Sequence, residues 1–188
     1  MQEKDYTGKV ESRENISLLS ACYFKKLTDM NIKSELKNIL KGRVTIVGVG
    51  NIMRGDDGFG PFLSECIKGK ISANVIDAGL APENHIKAIR ESKPDTILII
   101  DAADFGGDIG DVKLLEKSDI PLYGLSTHNT SLALFLSFLE SDTKAKVYML
   151  AIQPVRNEIN TPLSDIIEKR CSEVESILEE LLPKDDSH

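Results

Sequence analysis

The sequence predicts a three-layer α/β/α domain built on a mostly parallel central sheet, and three observations carry that expectation. Apolar runs at Val44 to Val49, Val75 to Ile76, Thr96 to Ile100 and Val147 to Ile152 have the length and composition of buried strands. Stretches with helical spacing separate several of them: Gly58 to Lys68, Pro82 to Ser92, His128 to Leu139 and Leu163 to Leu182. Strands alternating with helices imply parallel neighbours joined by crossovers, with helices on both faces.

Met1 to Asn15 is charged and offers little to a core, whereas Ile16 to Leu40 carries Leu27, Met30, Ile32, Leu36, Ile39 and Leu40 at helical spacing. A frayed start followed by one or two helices is expected there. Gly42 supplies a helix stop and a strand pattern begins at Arg43, so the chain divides into an N-terminal extension over 1–41 and a main domain over 42–188. Pro82 suits a first helical turn, where its missing N–H costs nothing. Asp111 to Leu115, following the Gly106, Gly107 and Gly110 cluster, reads as an added antiparallel strand.

The chain's 188 residues, 41% of them hydrophobic, support one well-buried core. A net charge of -7 would repel phosphate backbones and anionic lipid, so neither nucleic acid nor a membrane is expected as a partner. No apolar run approaches the roughly 20 residues needed to cross a bilayer, and the first fifteen residues are not signal-like. A cytoplasmic monomer is the expectation. Cys22, Cys66 and Cys171 lack any CxxC spacing and read as reduced thiols.

In open α/β sheets, sites form beyond the carboxyl ends of strands. The first strand is followed by Gly50-Asn51-Ile52-Met53-Arg54-Gly55-Asp56-Asp57-Gly58, and the central one by Asp101-Ala102-Ala103-Asp104. Gly48, Gly50 and Gly55 superficially resemble a dinucleotide fingerprint, with Asp77 ending the next strand. However, the third glycine of that pattern should fall at Met53, and acids at the helix start would repel a pyrophosphate. Those acids suit a cation instead. Asp57 alone is more often a helix cap, and Asp101 alone is often a loop hydrogen-bonding group, but together they would form a hard oxygen site.

Histidine supplies a third point. His188 is terminal and His85 falls on an outward face, whereas His128 follows Ser126 and Thr127 at a helix start, where the dipole favours the neutral imidazole a metal requires. A capping or core histidine is the alternative. Two carboxylates and an imidazole would suit nickel or zinc better than calcium, and spacing alone does not choose between them.

Taken together, these blocks resemble the hydrogenase maturation endopeptidases, particularly the branch serving formate-linked and archaeal deazaflavin-reducing enzymes. The matching segments are Gly48 to Asn51 with Arg54 to Gly58, Asp77 to Gly79 with Ala81 to Asn84, Asp101 to Asp104, Thr127 to Asn129, and Ala151 to Pro154. The resemblance implies a phosphorylase/hydrolase-like fold and an aspartic-type peptidase that removes the C-terminal tail of a NiFe-hydrogenase large-subunit precursor once nickel is inserted. It carries the metal-contacting positions onto Asp57, Asp101 and His128, with Asp57 and Asp101 as catalytic candidates and Asp56, Asp104 and Asn129 in support. It further implies that nickel arrives with the precursor as the only cofactor, and that either this nickel or a carboxylate drives hydrolysis. Arg54, Phe59 and Pro154 to Thr161 are expected to line the substrate groove. Ser126 and Cys66 lack the surroundings of a nucleophile. A non-catalytic binding module and a nucleotide-binding oxidoreductase are the alternatives.

Overall fold

The computed structural model describes residues 31–119 and 129–184. Five strands form one sheet: β1 (Val44–Val49), β2 (Asn74–Gly79), β3 (Thr96–Ala102), β4 (Val112–Leu115) and β5 (Lys146–Ile152), in the order β2-β1-β3-β5-β4. All pairings are parallel except that of β4 with β5. The added strand expected over Asp111 to Leu115 is therefore the antiparallel edge.

Strand alternation assigns each side chain to one of two cores. Val44 and Ile46 of β1, Leu98 and Ile100 of β3, and Leu150 and Ile152 of β5 face one side. They meet α1 (31–39), α2 (Phe59–Ile67) and α5 (Asp165–Leu181) through Leu36, Leu63, Ile167 and Leu178. Val47, Ile97, Ile99, Val147 and Met149 face the other side, against Ile89 of α3 (Ile86–Glu91) and Phe135, Leu136 and Leu139 of α4 (Asn129–Thr143). These are the three layers that near-continuous apolar strands require, since a parallel sheet buries both faces.

The helical stop before β1 lies where the sequence places it. The helix over 31–39 ends and Gly42 takes φ +67, a left-handed conformation that glycine adopts without a Cβ penalty. Ile32, Leu36 and Leu40 are buried in the same core as α2 and α5, so this part of the N-terminal segment is integral to the packing. The segments beginning at Gly58 and Pro82 each open as a 3-10 turn, Gly55–Gly58 and Pro82–His85, before becoming α-helical. Residues 1–30, and with them Cys22 and the start of the expected helical stretch, lie outside the described residues.

Candidate active site

The strand order creates the site. β2 lies on one side of β1 and β3 on the other, so the chain leaves β1 toward α2 on one face, and returns to β3 through α3 on the opposite face. Such a switch point opens a crevice at the carboxyl edge. Pairing of β1 with β3 ends at Gly48 opposite Ile100, while β3 continues beside β5 with Asp101 opposite Ala151. Asp101 is thus the first residue of β3 without a β1 partner, and it stands where the two strands part.

The loop from β1 is folded tightly over that edge. Gly50, at φ +135, lets the chain turn so closely that an added Cβ would lie 1.9 Å from the Asp57 carbonyl oxygen. That carbonyl accepts the Asn51 N–H at 3.0 Å, and the Asn51 side chain accepts the Met53 N–H at 2.9 Å. Gly60 permits the first turn of α2 to rest on both strand ends, since a Cβ there would meet the carbonyl oxygens of Val49 and Ile100, each at 2.3 Å. The turn Gly55–Gly58 holds Asp57 partly exposed beside the crevice.

Two carboxylates then act on one another. Burial pushes the Asp101 carboxyl well above the usual range, and the negative charge of Asp57 raises it further, against the opposing effect of the Ala102 N–H that Asp101 accepts at 2.8 Å. Such a pair either shares a proton or relieves its repulsion by meeting a cation. His128 lies outside the described residues; in sequence it directly precedes Asn129, where α4 begins. Among the described residues no three acidic, histidine or cysteine side chains cluster as a complete metal site.

The supporting acids have separate tasks. Asp56, adjacent to Asp57, is fully buried and accepts three backbone N–H groups: Val155 at 2.9 Å, Arg156 at 3.1 Å and Ser164 at 2.7 Å. It binds the loop after β1 to the loop after β5. Asp104 is exposed and accepts Gly106 N–H and the Gln153 side-chain amide, both at 3.0 Å, bonds that hold its carboxyl below the usual range.

Gln153 is a positioning residue that motif reading left without a role. Its Oε1 accepts the N–H groups of Phe105 at 3.0 Å and Gly107 at 3.2 Å, so one side chain orders the loop after β3. An amide closing an apolar strand just before Pro154 is the signal that marks it.

Phe59 corrects the expected groove. It is 0% exposed in the core beneath the sheet, because the helix that starts there turns its first large apolar side chain toward Leu63 and Ile67. Arg54 and residues 155–160 are exposed as a groove lining would be. A separate concavity of about 560 Å³ lies at the opposite, amino-terminal edge of the sheet. Its acids Asp95 and Asp142 are paired with Arg43 and Arg90, so it presents no reactive carboxylate pair.

Comparison with known proteins places the chain among relatives of one kind. The Escherichia coli K12 "Hydrogenase 3 maturation protease" is 43% identical over 109 residues, spanning 56% of this chain and 69% of that protein. The crystal structure of the NiFe-hydrogenase maturation protease HycI from Thermococcus kodakarensis KOD1 superposes with a TM-score of 0.74 at 27% identity, covering 79% of this chain and 99% of that one. The solution structure of the endopeptidase HycI from Escherichia coli gives 0.65 at 34% identity, covering 74% and 90%. A family model described as "Hydrogenase maturation protease" matches residues 59–181, and the chain belongs to the hydrogenase maturation protease family.

Proposed function

We propose that this chain is an endopeptidase that removes the C-terminal tail of a NiFe-hydrogenase large-subunit precursor, with Asp57 and Asp101 as its reacting carboxylates. The observation that carries the chemistry is the like-charge pair at the switch point, where Asp101 is held toward its protonated form beside Asp57. A carboxyl pair whose environments differ can divide the work of hydrolysis: the ionised member takes a proton from water and the protonated member delivers one to the departing amine. Family membership supplies the substrate class and displaces the nucleotide-binding alternative, whose glycine register was already mismatched.

The same two carboxylates, with His128 as third contact, are proposed to recognise nickel already seated in the precursor. Oxygen donors and one imidazole hold free nickel weakly, whereas a precursor's own ligands bring the ion firmly bound. Metal and scissile bond then arrive together, so the second contact is effectively intramolecular. Among the described residues no helix is long and apolar enough to cross a membrane. Incubation with nickel-loaded and nickel-free precursors, followed by mass measurement of each product, tests the reading. Trimming of the loaded form alone is expected; trimming of both equally would remove nickel from the recognition step.

A further inference from the structure

Exposed apolar surface is concentrated around the crevice. Of the ten large apolar side chains exposed among the described residues, six sit in loops at the carboxyl edge of the sheet: Ile52 and Met53 after β1, Leu80 after β2, Ile109 after β3, and Val155 and Ile159 after β5. Four of these belong to two loops that are one unit. The Met53 carbonyl accepts Asn160 N–H at 2.7 Å, Gly55 N–H reaches the Thr161 carbonyl at 3.0 Å, Asp56 N–H reaches the Arg156 carbonyl at 3.0 Å, and the buried Asp56 carboxylate closes the seam. Ile52, Met53, Val155 and Ile159, between 45% and 69% exposed, are therefore displayed on a braced surface. Such exposure is costly to keep in water and is characteristic of a surface that another protein covers.

We propose that the loops 50–58 and 153–163, joined by Asp56, are the docking platform for the precursor protein, seating an apolar strip of it beside the scissile bond; this rests on the peptidase reading above. Two features select that occupant. The platform adjoins the Asp57–Asp101 pair, so whatever is cut there must lie across it. Exposed Arg54 and Arg156 stand one in each loop, among these apolar side chains, with Asp57 and Glu158 balancing their charge. Apolar anchors beside guanidinium groups are the composition of an interface centre. Bracing lowers the ordering cost of association.

The test measures equilibrium binding of nickel-loaded precursor to the full-length chain and, in parallel, its cleavage. The double substitution Ile52→Ser with Ile159→Ser is expected to weaken binding about 10-fold or more, and Leu134→Ser, on exposed α4 surface, to leave it within about twofold. Arg54→Ala with Arg156→Ala should weaken binding as well, since guanidinium groups beside apolar anchors add to an interface centre. All variants should keep the parent melting temperature, because exposed positions contribute little to folding. Binding by the Ile variant within twofold of the parent would overturn the platform, as would a parent chain that does not bind the precursor. A parent that binds but does not cut, with the Ile variant weakened, would support the platform while removing the peptidase reading.

Discussion

The carboxylate of Asp56 accepts the backbone N–H of Ser164 at 2.7 Å, joining residues 108 positions apart and fastening the loop after β1 to the entry of α5. The same side chain accepts Val155 and Arg156, so three donors depend on one buried acid. Asp56→Ala should destabilise the fold by about 3 kcal/mol or more, because buried donors are left unsatisfied. Asp56→Asn should cost less, since its remaining oxygen still accepts. Chemical denaturation of the two variants measures this, and equal stability with the parent would show that solvent replaces the clamp.

Asp101→Asn should separate folding from function. The raised Asp101 carboxyl means that the folded state holds more protons than the unfolded state between the ordinary carboxylate range and the raised value. Its contribution to stability is therefore fully present at acid pH and lost as pH rises through that raised value. The amide removes this dependence while keeping an acceptor for Ala102 N–H. The variant's melting temperature should consequently equal or exceed the parent's at neutral pH and change less between acid and neutral pH. Processing should fall about 10²-fold or more. A parent-like pH slope would contradict the assigned burial, and parent-like trimming would make the acid structural.

Two substitutions one turn apart on the face of α2 that lies against β1 should have opposite signs. Gly60→Ala places a methyl against two carbonyl oxygens that cannot retreat without moving β1 and β3, and should cost about 1–3 kcal/mol. Ser64→Ala removes a buried hydroxyl that has no hydrogen-bond partner among the described residues, and should stabilise by about 1 kcal/mol. Thermal unfolding of both reads the contrast; a destabilising Ser64→Ala would reveal a partner for that hydroxyl.

Enzyme stripped by a chelator should trim nickel-loaded precursor at the parent rate. The complementary mixture, nickel-supplemented enzyme with a precursor unable to take up nickel, should remain uncut. Mass measurement of both products decides the matter, and cleavage only in the second mixture would make nickel a cofactor of this chain instead of a property of its substrate.

Sequence by itself determined the features that are local. The strands at Val44 to Val49 and Thr96 to Ile100, the stop at Gly42, the antiparallel edge after Gly110 and the acidic ends of β1 and β3 were legible because periodicity, chain stiffness and turn chemistry act over a few residues. The motif blocks also carry the family resemblance, since each is a short run of residues.

Tertiary structure decided what depends on distant neighbours. Asp56 and Asp57 are adjacent and chemically identical, yet one is sealed under residues 155–164 while the other stands beside Asp101; only the returning loop distinguishes them. Phe59, placed by motif reading in the groove, is drawn into the core because burying an aromatic side chain outweighs lining a wet surface. Strand order was beyond the sequence for the same reason. Near-continuous apolar strands could pair in several orders, and the one that sets β1 between β2 and β3, parting the sheet at Asp101, is chosen by how the crossover helices cover both faces.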